Sequence, residues 1–318
     1  MHFFWENRTF NAHLLSGCGL ILYAMEKRSL FMKALFFLVV VFVFFVNTHA
    51  ARVDTVEVYS ASMDKLLPAA VVLPQCYDEH TDTYPVIYLL HGATGSFANW
   101  LVLPPEEGLV ERLADQYKII FVLPEGDRFS FYFDSPVNEQ SQYETHITAE
   151  VIPFIDTVYR TIQGKAGRAI TGLSMGGHGA LYLSTRNPHL FAAAGSMSGA
   201  VDLDVGSWDL ASEDVENFLE RFTDMVGAGD QGIAFLEKHS VTNMVDRMKE
   251  NQIPMIIDCG VDDFLLDGNR ELNRRLLEAG VPHDYIERPG AHDWPYWGNA
   301  LLYQVLFISE VFRNTARE

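Results

Sequence analysis

The stretch Gly172-Leu173-Ser174-Met175-Gly176 places a serine where it could act as a nucleophile. From Ala169 to Gly179 the chain reads as a short apolar strand, a turn crowded with glycines and the start of a helix, which is the G-x-S-x-G pattern of a nucleophile elbow. Such a turn holds its serine at strained backbone angles with the hydroxyl above the sheet, and side chains at Gly172 and Gly176 would collide across it. Ser174 is therefore the expected nucleophile.

A serine needs a base, and the base needs an orienting acid. Downstream, Pro254 to Asp263 is an apolar strand ending in G-x-x-D, which sets a carboxylate at the carboxyl edge of a parallel sheet. After a helix and a further strand, His292 follows in the loop Arg288-Pro289-Gly290-Ala291-His292-Asp293-Trp294. The order Ser174, Asp263, His292 is that of α/β-hydrolases and of neither chymotrypsin nor subtilisin. Asp263 is favoured as the acid because it stands three residues after Gly260, with adjacent Asp262 open as the alternative and Asp258 given a structural role.

Acyl transfer creates an oxyanion that preorganised N–H donors must meet. One expected donor is the backbone N–H of Met175, at the start of a helix whose dipole presents its positive end. The second is the N–H of Ala93, in the turn His91-Gly92-Ala93 that follows the buried run Val86 to Leu90. His91 is expected to be a structural hydrogen-bonder of that turn.

These segments resemble the esterase D-like, or "putative esterase", family of α/β-hydrolases. The marks are Tyr88 to Gly92, Asn99-Trp100, Pro124-Glu125-Gly126, Phe131-Tyr132 with Asp134-Ser135-Pro136, Ile152 to Asp156, Gly172 to Gly177, Phe264-Leu265-Leu266 and His292-Asp293-Trp294, in order from about residue 54 onward. The family includes family 1 carbohydrate esterases acting on feruloyl and acetyl groups, tributyrin-type esterases, S-formylglutathione hydrolases and mycolyltransferases. The resemblance implies a Ser-His-Asp/Glu acyl-enzyme mechanism with an oxyanion hole at Ala93 and Met175.

The elements that must position these residues alternate along the chain. Val53 to Ser60 and Ala69 to Leu73 read as an antiparallel pair joined through Met63 to Leu67. Strands at Val86 to Leu90, Lys118 to Leu123, Arg168 to Thr171, Ala192 to Ser196, Met255 to Cys259 and Asp284 to Glu287 then alternate with helices near Leu103 to Gln116, Thr145 to Thr161, Gly176 to Arg186, Gly268 to Ala279 and Trp297 to Phe312. The pattern predicts an α/β-hydrolase fold: a mostly parallel, doubly wound sheet. Residues 200–252, rich in Asp and Glu with helical pieces at Val215 to Met225 and Gly232 to Lys238, are expected to form a small helical cap beside the site.

The first fifty residues read as a signal peptide region. Thirteen consecutive apolar residues, Ala34 to Val46, follow Lys27, Arg28 and Lys33 and precede Thr48-His49-Ala50. That run is short for a bilayer span. Cleavage after Ala50 leaves a catalytic domain at 51–318, exported to the periplasm or secreted without stable membrane association, and translation starting at Met25 or Met32 would account for residues 1–24.

The formal charge is −19 over 318 residues, and −21 without residues 1–50, which hold four Lys/Arg and two Asp/Glu. Such a surface repels nucleic acid and anionic lipid, so the expected partner is a small-molecule or polysaccharide ester. Cys76 and Cys259 follow the signal region, and one possible pair leaves a disulfide open. No cluster has ligand spacing, so neither metal nor cofactor is expected.

Trp100, Phe131, Tyr132 and Trp294 are expected to line the substrate pocket, where aromatic rings suit a phenolic acyl group or a sugar face. The sequence thus points to an exported serine carboxylesterase acting on feruloyl or acetyl groups of plant cell-wall carbohydrate. The alternatives are an S-formylglutathione hydrolase or short-chain esterase, a mycolyltransferase-like acyltransferase, and a non-catalytic carbohydrate-binding protein on the same fold.

Overall fold

A computed structural model describes residues 51–315, so the signal segment lies outside the described residues. The eight strands are β1 (Arg52–Ser60), β2 (Lys65–Leu73), β3 (Val86–Leu90), β4 (Ile120–Pro124), β5 (Arg168–Gly172), β6 (Ala193–Met197), β7 (Met255–Gly260) and β8 (Asp284–Arg288). They form one sheet in the order β1-β2-β4-β3-β5-β6-β7-β8. β1 and β2 pair antiparallel with each other and β2 antiparallel with β4, and from β4 to β8 every neighbour is parallel. This is the α/β-hydrolase fold.

The central strands are short and buried on both faces. Every residue of β3, β4, β5, β6 and β7 is buried, as expected of parallel strands sandwiched between helices. On one face, helices α1 (Leu109–Tyr117) and, at the end of the chain, Trp294–Thr315 pack Val110, Leu113, Leu301 and Val305 against Ile87, Leu89 and Phe121. On the other face lie α2 (Ile152–Val158), α3 (Met175–Arg186), α4 (Ser212–Val226), α5 (Gly229–His239), α6 (Val245–Asn251) and α7 (Leu266–Ala279), whose core includes Ile155, Leu181, Phe222, Met248 and Leu272. The terminal helix is α8.

Several boundaries move from the sequence expectation for identifiable reasons. β2 begins at Lys65 and pairs with β1 through to Ser60↔Lys65, so only four residues join the two strands. The helix expected from Leu103 starts at Leu109, because Pro104 and Pro105 cannot continue a helix and Gly108 enters α1 left-handed at φ 70°. Residues Tyr143–Thr145 and a π-helical stretch, His146–Val151, run directly into α2, which ends at Val158. α8 begins at Trp294 because the Asp293 carboxylate caps it, accepting the Tyr296 N–H at 3.0 Å. Cys76 and Cys259 are both free thiols.

All the loops of interest leave the same edge of the sheet. β3 pairs with β5 through Leu90↔Gly172, so the turns after these strands stand side by side. β7 and β8 end together at Gly260↔Arg288, and the loops beyond them stay joined through Val261 N–H to Arg288 O and Asp262 N–H to Gly290 O, both 2.9 Å. At the elbow a Cβ on Gly176 would lie 2.6 Å from the His91 carbonyl oxygen and 2.7 Å from that of Leu90. Both neighbours are backbone at the end of a buried strand and cannot yield. Gly176→Ala should therefore lower stability by roughly 1–3 kcal/mol, the usual cost of overpacking, read as a drop in the urea midpoint with an unchanged m value.

Candidate active site

Ser174 sits between β5 and α3 at φ 55° and ψ −118°, a conformation that L-residues rarely adopt. Its own N–H donates to the Met197 carbonyl at the end of β6 (2.9 Å), and its carbonyl accepts from Ala200 N–H (3.2 Å). The turn is thus tied to the next strand and cannot relax by peptide rotation. A Cβ at Gly172 would stand 2.6 Å from the Gly176 backbone, which is why the elbow closes only around glycines.

Three strand ends bring the expected acid, base and nucleophile together. His292, in the loop after β8, places Nε2 3.0 Å from Ser174 Oγ, while its Nδ1 lies 2.9 and 3.0 Å from the two carboxylate oxygens of Asp263. The Asp263 carboxylate is buried, and Oδ1 also accepts the Leu265 N–H at 2.9 Å. Asp262 is exposed and meets this loop only through its backbone. Asp258 lies deeper: its buried carboxylate takes Arg288 at 2.6 Å and the Tyr296 hydroxyl, so it ties β7 to β8 and α8. The His292 ring is flanked by Phe264, 4.4 Å away between centroids, and by Trp297 at 4.8 Å, perpendicular to it.

The backbone N–H groups of Ala93 and Met175 find no acceptor among the described residues. Both belong to turns packed on the elbow, one after β3 and the other at the start of α3, which points the positive end of its dipole at the same place. His91 is buried, and the Gly126 N–H donates to its Nε2 at 2.9 Å. That nitrogen therefore carries a lone pair, and the neutral ring donates from Nδ1 to the Gly92 carbonyl at 2.8 Å. Glu125 Oε1 stands 3.4 Å from Nε2 without receiving a proton from it. The ring is part of the turn and does not face the cavity.

A cavity of about 500 Å³ opens over Ser174 and His292. Among the expected pocket residues, Phe131 and Trp294 line it. Trp100 and Tyr132 do not. Trp100 is buried beneath, donating its indole N–H to the Leu90 carbonyl and packing edge-on against Trp294. Tyr132 is wholly buried, its hydroxyl donating to the His91 carbonyl at 3.1 Å. The reason is local: Phe131 and Tyr132 both adopt positive φ (49° and 58°), so the chain turns between them and sends one ring to the cavity and the other behind the turn that follows β3.

The remaining aromatic walls are Trp208, Phe218, Phe264 and Trp297. Phe264 follows the candidate acid directly, and Trp297 lies about one helical turn after Asp293, so spacing alone could have flagged both. Trp208 and Phe218 come from the 200–252 excursion, where Trp208 packs on Phe218 and Phe264 and so forms a wall beside the site. Nothing in their local sequence distinguishes them from core aromatics. No Lys or Arg side chain lines the cavity among the described residues, and the one carboxylate among its lining residues is Asp293, which caps α8. Among the described residues no three His, Cys, Asp or Glu side chains come close enough to hold a metal ion, and no helix is long and apolar enough to cross a membrane.

Residues 60–308 match the family model described as "Putative esterase". An acetyl esterase of Caldicellulosiruptor saccharolyticus is 28% identical over 238 residues, covering 74% of this chain and 86% of that protein. An esterase of Mycobacterium tuberculosis is 30% identical over 253 residues, 70% of this chain and 51% of the relative, so the chain spans about half of that protein's length. Among solved structures, a ferulic acid esterase superposes with a TM-score of 0.69 at 29% identity, over 83% of this chain and 100% of the other.

Behind Phe131 lies a buried histidine that takes no part in the Ser174 constellation. His178, on α3, is packed among Phe131, Phe133 and Tyr182 and donates from Nε2 to the His239 carbonyl at 3.0 Å. Burial pushes its imidazole down to about 4. The unfolded chain thus takes up a proton near pH 6.5 that the folded chain refuses until about pH 4, so this contribution is complete above pH 6.5 and is lost as pH falls through that window. At its limit it amounts to about 3 kcal/mol, and burial acts in the same direction on His146 and His239. The thermal midpoint should fall between pH 6.5 and 4, and His178→Gln should flatten that slope; an equally steep slope in the variant would assign it elsewhere.

Proposed function

The chain belongs to the "Putative esterase" family and is a carboxylic ester hydrolase, and we propose that Ser174, His292 and Asp263 carry out the reaction through an acyl-enzyme. The observation that carries this reading is the single imidazole that spans Ser174 Oγ at 3.0 Å and the Asp263 carboxylate at 2.9 Å. Ser174 Oγ attacks the ester carbonyl as His292 Nε2 takes its proton, while Asp263 holds the Nδ1–H and favours the imidazolium that forms. The tetrahedral oxyanion is met by the N–H groups of Ala93 and Met175, each such donor being worth roughly 3 kcal/mol. His292 then returns the proton to the departing alkoxide. Water, deprotonated by the same imidazole, attacks the acyl-serine and releases the acid.

The proposed substrates are uncharged acyl esters, with feruloyl or acetyl groups on plant cell-wall carbohydrate favoured. Six aromatic side chains, Phe131, Trp208, Phe218, Phe264, Trp294 and Trp297, line the cavity, which suits a phenolic ring or the flat face of a sugar. A volume of about 500 Å³ accommodates a short or single-ring acyl group. The absence of lining cations among the described residues counts against a glutathione thioester, whose carboxylates would face a cavity with no positive partner. The names of the acetyl esterase and ferulic acid esterase it resembles support the same substrate class. Export through the segment ending at Ala50 belongs to this proposal.

The purified protein, assayed with p-nitrophenyl esters of increasing chain length and with methyl ferulate, should turn over acetyl or feruloyl esters fastest and lose turnover in Ser174→Ala while keeping its circular dichroism. Retention of activity by Ser174→Ala would overturn the mechanism. A preference for S-formylglutathione over every oxygen ester would overturn the substrate class. The neighbouring carboxylates give a separate measurement: Asp263→Asn should cost on the order of 10⁴-fold in kcat through loss of the correct imidazole tautomer, whereas exposed Asp262→Asn should change it by less than about threefold.

A further inference from the structure

The peptide group joining Gly92 to Ala93 is held at its oxygen. His91 Nδ1–H donates to the Gly92 carbonyl at 2.8 Å and the Gly95 N–H to the same oxygen at 3.1 Å. In a trans peptide the C=O and N–H point in opposite directions. Fixing that oxygen therefore aims the Ala93 N–H, and a carbonyl that accepts hydrogen bonds also polarises the N–H of its own peptide.

The imidazole that does this is fixed in turn from one neighbouring loop, residues 125–132. The Gly126 N–H donates to His91 Nε2 and so selects the Nδ1–H tautomer. The Tyr132 hydroxyl donates to the His91 carbonyl at 3.1 Å, and Thr94 N–H donates to the Arg128 carbonyl at 2.6 Å. Tyr132 has little freedom to move, since a Cβ on Gly126 or Gly179 would lie 2.4 Å from its ring. Its backbone is held at φ 58°, directly after Phe131 at 49°.

From this arrangement we infer that His91 and Tyr132 are positioning residues for the oxyanion hole: His91 aims the Ala93 N–H, and Tyr132 holds His91 in place to do so. The inference rests on the acyl-enzyme reading above. Neither residue touches the substrate, and their effect belongs to the transition state, in which the ester oxygen gains charge, and not to ground-state binding.

The test compares wild type with Tyr132→Phe, His91→Ala and His91→Asn, using p-nitrophenyl acetate turnover and inhibition by phenylboronic acid, whose boron accepts a nucleophilic serine oxygen to become a tetrahedral anion with one of its oxygens in the oxyanion hole. His91→Ala should lower kcat on the order of 100-fold and Tyr132→Phe about 10-fold, with KM changed by less than about threefold in each. The boronate inhibition constant should weaken by the same factor as kcat. His91→Asn, whose amide nitrogen can still donate to the Gly92 carbonyl, should recover part of the loss. A merely structural role would lower the thermal midpoint without separating kcat from KM or weakening boronate, and that result overturns the inference. Should His91→Ala fail to fold, Tyr132→Phe decides alone, because it removes one oxygen from a ring that keeps its packing. If Ser174→Ala still turns over ester, the acyl-enzyme reading fails. If Ser174→Ala is inactive while Tyr132→Phe and the His91 variants keep wild-type kcat and boronate affinity, only the positioning role fails.

Discussion

The site depends on one steric constraint, the closeness of the β5–α3 crossing to the end of β3. At Gly176 and Gly172 the chain approaches the backbone of its neighbours to distances at which no side chain fits, and the serine between them is forced to φ 55°. Backbone strain of this kind costs of order 1–3 kcal/mol per residue and persists only where the surroundings over-determine it. Here they do: the Ser174 N–H donates to Met197 at the end of β6, and its C=O accepts from Ala200 in the loop beyond. The strained turn raises the hydroxyl above the sheet, opens the Met175 N–H to the same space and brings that space beside the turn after β3. The positions of the candidate nucleophile and of both candidate oxyanion donors thus follow from one packing contact.

The candidate acid and base are set by a second close approach. A Cβ on Gly260 would lie 2.3 Å from the Gly290 carbonyl oxygen, so the loops beyond β7 and β8 can lie against each other and exchange backbone hydrogen bonds. Asp263 and His292 are carried on those loops and meet across the gap. Beneath them the Asp258 carboxylate, with Arg288 and Tyr296, fastens β7, β8 and α8 together. Burial raises the Asp258 carboxyl above its ordinary range, although the arginine and the tyrosine hydroxyl oppose this. A buried carboxylate with two partners is of doubtful net value to stability but fixes geometry. Geometry is what an imidazole needs when it must lie within 3.0 Å of both its partners.

Much of this is legible in the sequence because the constraints are local. Glycines at two fixed offsets from a serine, an apolar run ending in G-x-x-D and a histidine in the loop after the last strand are each short-range patterns, and a mostly parallel, doubly wound sheet follows from alternating strands and helices. What was not legible depends on side-chain direction in irregular backbone. Phe131 and Tyr132 are adjacent and equally aromatic, and only their positive φ values decide that one faces the cavity and the other lies behind it. Trp100 reads as a pocket residue from its place after the oxyanion turn, yet a four-residue helix, Asn99–Val102, rotates it inward to the Leu90 carbonyl. Trp208 and Phe218 lie in an acidic excursion whose contact with the site is a matter of tertiary packing, which no short-range pattern encodes.

The division of labour that results is physical. The groups placed for bond making and breaking sit on strand ends and turns whose positions are fixed by buried backbone, where a change of one methyl group meets a carbonyl. The cavity walls come partly from the 200–252 excursion, where Trp208 and Phe218 rest on Phe129, Phe222 and Phe264 largely through ring contacts, with the Trp208 indole N–H donating to the Asp202 carbonyl and the Asp209 N–H to the Phe264 carbonyl. Ring contacts tolerate volume-conserving exchange far better than a close backbone crossing does. Variation in this excursion would therefore reshape the cavity wall while leaving the elbow, the His292 imidazole and the turn after β3 undisturbed. Phe131 is where the two regimes join. It lines the cavity and packs on Phe129 and Phe222 on the excursion side, yet its backbone is continuous with Tyr132, the residue that braces the turn behind Ala93. The cavity wall and the support of the turn after β3 thus meet in two consecutive residues of positive φ.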